Sequence, residues 1–167
     1  QRPLVLMGPA MARPARRAAV ERLTAATGIP ALPMESPRGV NDPWLHMATG
    51  CLGRADLVLL LGKRLDFAVR FGGAPPFEPS CRFVQVDWEA EALARSGRVS
   101  LGLVTDPAVL AGQLATVATP LAGRWQTWGD EVAAARASVP AEWEDLRRSS
   151  RTPMHPLRVC AAIQLLL

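Results

Sequence analysis

Short apolar runs that do not alternate with polar residues constrain the fold of this sequence most. Each run is closed by glycine, proline or charged residues, which is the pattern of a buried strand followed by a turn. Continuous apolar strands are typical of parallel sheets that are covered on both faces. The runs are "PLVLM" (3–7), "IPALPM" (29–34), "DLVLLLG" (56–62), "RFVQVD" (82–87) and "VSLGLV" (99–104).

Helical segments separate several of these strands. Residues 13–27 carry apolar residues at helical spacing, and Gly28 supplies a stop signal after them. Asp106 is a candidate N-cap, and Pro107 suits the first position of the helix that follows. A shorter helix is predicted over residues 44–52, after a loop rich in proline, glycine and asparagine.

Alternation of strands and helices predicts an α/β fold, a doubly wound, Rossmann-like parallel sheet with helices on both faces. Ligands of such folds bind beyond the carboxyl ends of the strands, near the point where the strand order reverses. Arg64, Asp66, Asp87 and Asp106 all lie at or just after predicted strand ends. We expect them to gather at one sheet edge, where the alternative is that they are ordinary solvated loop charges.

The turn after the first strand contains Gly8, Pro9 and Ala10 but lacks the other glycines of the dinucleotide fingerprint. A strand that leads through a turn into a helix can still present N–H groups to a phosphate, here at residues 10–12. Asp87 could accept hydrogen bonds from ribose hydroxyls. It follows the fourth strand instead of the second, which argues against an ordinary NAD-dependent dehydrogenase.

Composition excludes several other classes of protein. The 167 residues carry a net charge of +4 from scattered arginines without interleaved aromatic residues, so nucleic-acid binding is disfavoured. No apolar run is long enough to span a membrane, and the first residues do not resemble a signal peptide, so a cytoplasmic protein is expected. The three cysteines lack metal-site or disulfide spacing, and we expect structural thiols and no metal site.

Catalytic motifs are absent from the sequence. His46 and His155 have no matched Ser, Cys or Asp pattern, and G-x-S-x-G, H-E-x-x-H and Gly-Lys-Thr motifs do not occur. We expect His46 to lie on a loop or helix surface and His155 to start a helix. No catalytic residue is predicted in this chain.

The pattern changes after residue 120. Residues 121–153 are mostly polar, with Trp125, Trp128, Val132 and Trp143 spaced for one apolar stripe of amphipathic helix that is broken near Pro140. A further helix is predicted from His155, and it runs into three leucines without a capping residue. The sequence is therefore expected to be a fragment that exposes apolar surface and self-associates.

The segments "RPLVLMGPAMAR", "PALPMESPRGVNDP", "ADLVLLLGKRLDF", "RFVQVDWEAEAL" and "GLVTDPAVL" occur in an order that resembles a known family. It is the central domain of thiamine diphosphate-dependent enzymes of the acetolactate synthase, oxalyl-CoA decarboxylase and benzoylformate decarboxylase group. The likeness covers residues 2–114, and "MHPLRVCAAIQLLL" is similar to the segment that leads into the next domain.

The resemblance implies a sheet of about six strands and a domain division. Residues 1–120 would form the central nucleotide-binding-like domain, 121–153 amphipathic linker helices, and 154–167 the truncated start of the C-terminal pyrophosphate-binding domain. Thiamine diphosphate and Mg²⁺ would bind outside this chain, to that domain and to the N-terminal pyrimidine-binding domain of a homodimeric or homotetrameric enzyme. The chain alone would therefore be inactive.

Some members of this family bind FAD or ADP across the strand ends of the central domain. By this resemblance, Gly8, Pro9 and Ala10 would face phosphate or ribose, and Gly62 and Arg64 would contact the phosphates or the adenosine. Asp87 and Trp88 would flank the adenosine, and Thr105 and Asp106 would border the adenine. The matching positions are Gly8, Pro9, Ala10, Gly62, Arg64, Asp87, Trp88, Thr105 and Asp106.

Two other interpretations fit the same sheet. One is a free-standing nucleotide-binding or regulatory module that never joins catalytic domains. The other is a related NAD-binding domain of the deacetylase or transhydrogenase type. The uncapped "CAAIQLLL" end favours the multidomain enzyme over both.

Overall fold

The computed structural model describes residues 1–93, 95–118 and 121–166, and the side chain of His46 is outside this description. Five parallel strands form one sheet in the order β2-β1-β3-β4-β5. The strands are β1 (Pro3–Met7), β2 (Ala31–Pro33), β3 (Leu57–Leu61), β4 (Arg82–Asp87) and β5 (Val99–Val104). The doubly wound α/β prediction is confirmed; the resemblance implied about six strands, one more than the described residues contain.

Seven α-helices accompany the sheet within the described residues. They are α1 (Pro14–Thr27), α2 (Thr49–Leu52), α3 (Ala90–Leu93), α4 (Pro107–Val117), α5 (Gln126–Ala137), α6 (Ala141–Arg148) and α7 (Pro156–Gln164). The short helix predicted over residues 44–52 is a 3₁₀ helix, Pro43–Ala48, continued by α2.

Local signals define the ends of two principal helices. Gly28 adopts a left-handed conformation with φ of 78°, and its N–H donates to the Thr24 carbonyl to end α1. The Asp106 carboxylate accepts the Ala108 N–H at 2.8 Å and caps α4. Both ends agree with the sequence prediction.

Two apolar layers enclose the sheet. On one face, Val5, Leu61 and Val86 pack with residues of α1 and α4. On the other face, Leu60 and Phe83 belong to a cluster that includes residues of α2 and α5. Every residue of β1 is buried, as expected of a central strand covered on both sides.

The outermost strand β5 differs from this pattern. Four of its six residues are exposed, among them the apolar Leu101 and Val104. It pairs with β4 alone among the described residues, and this edge position leaves its side chains uncovered.

Candidate functional site

The carboxyl ends of four neighbouring strands meet at one edge of the sheet. The register pairs Met7 with Leu61, Leu61 with Val86, and Asp87 with Val104. The chain leaves β1 toward β2 on one side and later enters β3 on the other, so the strand order reverses between β1 and β3. This is the position at which doubly wound folds bind ligands.

Gly8 and Gly62 bring the ends of β1 and β3 into backbone contact. The Gly8 N–H donates to the Leu61 carbonyl at 3.0 Å, and a Cβ on Gly8 would lie 1.8 Å from the Gly62 carbonyl oxygen. Gly62 itself has φ of 57°, a backbone conformation that residues other than glycine rarely adopt. The missing side chain of Gly8 therefore makes room for the neighbouring strand.

Pro9 and Ala10 begin a short 3₁₀ helix, Pro9–Ala12. Pro9 has no N–H, and the Met11 N–H already donates to the Gly8 carbonyl at 2.9 Å. The turn thus offers fewer free donors to a phosphate than a glycine-rich loop would.

Arg64 and Asp87 are neighbours, as the sequence predicted. The Arg64 Nε lies 3.9 Å from Asp87 Oδ2, and its Nη2 is 2.7 Å from the Glu89 carboxylate. The other Asp87 oxygen accepts the Glu89 N–H at 3.2 Å. Glu89 was not predicted; its position two residues after Asp87, in the turn that leaves β4, was the available signal.

Thr105 joins the ends of β4 and β5 through its backbone. Its N–H donates to the Asp87 carbonyl at 3.1 Å. Thr105 is only partly buried. The structure thus places it at the predicted edge.

Trp88 and Asp106 are brought together by Arg16, a residue that sequence reasoning did not select. The Arg16 Nη1 lies 2.9 Å from each oxygen of Asp106. The guanidinium carbon is 4.9 Å from the centre of the Trp88 ring. No local pattern could reveal this contact, since Arg16 belongs to α1 and Asp106 is 90 residues further along the chain.

The surroundings of Asp106 favour its charged form. Burial is the largest influence and raises the pKa of this carboxyl group, but hydrogen bonds from the Ala108 N–H, Trp88 and Arg16, with the charge of Arg16, together lower the pKa. Asp106 is therefore a carboxylate at neutral pH.

A buried lysine completes the strand-end edge. Lys63 is 6% exposed, and its Nζ lies 2.7 and 2.8 Å from the two oxygens of Asp66. Asp66 also accepts the Ala68 N–H at 3.0 Å and caps the 3₁₀ helix Phe67–Gly72. Both residues have a structural partner, so neither is an uncommitted charge.

The two histidines and one cavity are not part of the charged cluster at this edge. His155 caps α7 by accepting the Leu157 N–H at 3.2 Å, which confirms its predicted helix-start position. The main chain of His46 lies in the 3₁₀ helix Pro43–Ala48, and its side chain is outside the described residues. A cavity of about 1260 Å³ lies beside β2, between α1 and α5. Met7, at the end of β1, and Ala12, in the predicted phosphate turn, line it, whereas none of the nine positions matched to FAD or ADP binding does.

The described residues form neither a metal-binding cluster nor a membrane-spanning helix. Residues 1–93, 95–118 and 121–166 contain no cluster of three or more His, Cys, Asp or Glu that could hold a metal ion. Within the same ranges, every helix is too short or too polar to cross a lipid bilayer.

Comparison with known proteins identifies similar sequences. The family described as "Thiamine pyrophosphate enzyme, central domain" matches residues 1–114. A probable acetolactate synthase of Mycobacterium bovis is 30% identical over 100% of this chain and 30% of its own length. The 2-hydroxyacyl-CoA lyase of Arabidopsis thaliana is 29% identical over 68% of this chain and 21% of its own length.

A human protein is another 2-hydroxyacyl-CoA lyase that is similar to this chain. The 2-hydroxyacyl-CoA lyase 1 of Homo sapiens is 29% identical over 62% of this chain and 19% of its own length. The chain therefore spans less than a third of the length of these relatives.

Proposed function

Because this chain belongs to the thiamine pyrophosphate enzyme family, as a central domain, we propose that it serves an enzyme that makes or breaks carbon–carbon bonds. The parent would be a carboligase or decarboxylase of the acetolactate synthase or 2-hydroxyacyl-CoA lyase type, dependent on thiamine diphosphate and Mg²⁺. The names of the similar synthase and lyases support this class of reaction.

The domain would lie between two catalytic neighbours. We propose a central domain over residues 1–120, linker helices over 121–153, and the start of the pyrophosphate-binding domain over 154–167. A cytoplasmic homodimer or homotetramer is the proposed assembly. The low share of each relative's length that this chain covers supports a multidomain parent.

The residues that the structure describes do not fit thiamine diphosphate or its metal. The described residues provide no cluster of metal ligands. The sequence also has no "GDG" element, which the family resemblance implies for the part of such enzymes that holds magnesium and diphosphate. We therefore assign this chain no step of the thiamine chemistry. Its proposed contribution is to support the neighbouring domains and to bind a nucleotide.

The strand-end edge fits the adenosine diphosphate part of ADP or FAD. One observation carries this proposal: Arg64, just after β3, lies beside Asp87, the last residue of β4, next to the reversal of strand order. A guanidinium matches phosphate oxygens, and a carboxylate accepts hydrogen bonds from ribose hydroxyls. Arg64 would hold the phosphates and Asp87 the ribose.

The two roles predict different ligand profiles. Arg64→Ala should weaken ADP and FAD by about 1.5–3 kcal/mol, the usual worth of a hydrogen bond to a charged group. The loss should shrink for adenosine, which has no phosphates. Asp87→Asn should weaken adenosine and ADP about equally, and titration calorimetry measures all of these affinities.

Arg82→Ala provides a matched control. Arg82 is an exposed arginine at the opposite end of β4, so its removal should leave the affinity for ADP unchanged. Absence of binding of ADP and FAD by the wild-type chain and by its parent enzyme would contradict the nucleotide proposal.

A further inference from the structure

The indole of Trp88 covers the end of β3. Its ring carbons Cζ3 and Cη2 lie 3.0 and 3.1 Å from the position that a Cβ on Gly62 would occupy. The residue is still 40% exposed, so solvent and ligands can reach part of it. A ligand that approaches the Gly62 backbone would meet this ring first.

Arg16 and Asp106 hold the indole in this position. The guanidinium stacks on the Trp88 ring, and Asp106 accepts hydrogen bonds from Arg16 with both carboxylate oxygens. The three side chains come from α1, the turn after β4 and the cap of α4. We call Arg16, Trp88 and Asp106 the strand-end latch.

The latch contains an ion pair that a ligand could exchange. The side chains of Arg16 and Asp106 are 36% and 33% exposed, so water and anions reach both. Ion pairs this exposed contribute little to stability and are opened at low cost. The planar guanidinium binds a carboxylate or a phosphate by the same hydrogen bonds, so the two anions compete for it.

We propose that the strand-end latch closes the nucleotide site, and that a diphosphate opens it by replacing Asp106 on Arg16. The inference rests on the proposed function, because the ligand is the nucleotide proposed for this edge. Arg16 then binds the diphosphate together with Arg64, and both arginines are needed for full affinity. Trp88, which loses its stacking contact when Arg16 moves to the phosphates, then uncovers Gly62.

Asp106→Asn tests the competition directly. Asparagine still caps α4, but it cannot form an ion pair with Arg16. We expect this variant to bind ADP and inorganic pyrophosphate about two- to fivefold more tightly than the wild type. This factor corresponds to the usual free energy of a partly exposed ion pair, which no longer has to be broken. Arg16→Ala should weaken both ligands at least about tenfold, because a hydrogen bond to a charged group is lost.

Arg17→Ala is the matched control, since Arg17 is the next residue of α1 and pairs with Glu21 on its own helix. It should bind both ligands like the wild type. Asp106→Ser repeats the test with another capping residue, in case the asparagine variant is poorly folded by circular dichroism.

The outcomes separate the latch from the nucleotide proposal. ADP binding that is equal in the wild type and in the Asp106 variants would overturn the latch alone. Pyrophosphate binding with the expected pattern, but no binding of ADP, would support the latch and contradict the nucleotide. No binding of either ligand by any variant would overturn both.

Discussion

Charged side chains at the strand ends are paired with one another. Lys63 pairs with Asp66, Arg64 with Glu89, and Arg16 with Asp106. Any anionic ligand must therefore compete with carboxylates that are already in place. The affinity of this edge depends on the difference between two sets of ion pairs, so we expect it to respond to single substitutions in either partner.

The three thiols also differ in their surroundings. Burial is the largest influence on Cys81 and raises its pKa to about 11, and the nearby Arg98 offsets this only in part. Burial likewise raises the pKa of Cys51, against the opposing charge of Arg54. Cys160 is exposed on α7.

These surroundings predict one reactive thiol in the folded chain. At pH 8, dithiobisnitrobenzoate should modify Cys160 quickly, while Cys51 and Cys81 should react only after unfolding, because the thiolate is the reactive form. The absorbance of the thiolate that the reagent releases measures the number of cysteines modified. Cys160→Ser should abolish the fast phase, and two fast thiols in the native wild type would contradict the expectation.

Among the elements, β1 and β3 come into backbone contact just beyond their carboxyl ends. Gly8, just after β1, lies against the Gly62 backbone, and the 3₁₀ helix Pro9–Ala12 begins directly after Gly8. Any displacement of these two strand ends would move Arg64, which follows Gly62 by two residues. The geometry of the candidate site therefore depends on Gly8, which has no side chain.

Gly8→Ala tests this dependence. The added Cβ would overlap the Gly62 carbonyl oxygen, so the strands must separate. We expect the free energy of unfolding to fall by about 3 kcal/mol, the upper end of the usual cost of overpacking. Urea unfolding followed by circular dichroism measures it.

Gly50→Ala is the matched control for this substitution. A Cβ at Gly50, in α2, meets no atom within 4 Å. Because alanine favours helix over glycine, the variant should be as stable as the wild type or up to about 1 kcal/mol more stable. A Gly8→Ala variant of unchanged stability would show that the strand ends can separate freely.

At the scale of the whole molecule, the sheet and the last helices are built differently. Trp128 of α5 is buried, and its indole N–H donates to the Pro3 carbonyl at 2.8 Å, which ties α5 to β1. By contrast, α6 and α7 contain no buried residue, and α7 and the two residues after it expose Val159, Ile163, Leu165 and Leu166. The stabilising apolar contacts are therefore concentrated before residue 138.

The proposed division of labour predicts that this chain does not bind the thiamine cofactor. Calorimetric titration with thiamine diphosphate and Mg²⁺ should give no saturable heat, because the described residues contain no metal-ligand cluster. ADP added under the same conditions serves as the positive comparison. Saturable binding of thiamine diphosphate at micromolar concentration would contradict the assignment of the cofactor to other domains.

The strands and the principal helix ends followed from the sequence alone. Their signals are local: apolar runs closed by turn residues, Gly28 after α1, and Asp106 with Pro107 before α4. Such signals act through backbone conformation and hydrogen bonds within a few residues, so no knowledge of the folded chain is needed. The gathering of Arg64, Asp87 and Asp106 at one edge also followed, because parallel strands end on the same side.

Only the tertiary structure decided which side chains pair and which strand is exposed. Arg16 meets Asp106 across 90 residues, and Trp128 reaches Pro3 across 125. β5 carries the apolar residues Val99, Leu101, Leu103 and Val104, yet its place at the edge leaves the strand largely uncovered. Contacts of this kind depend on how helices pack on the sheet, which depends on the whole chain and leaves no mark within a short segment.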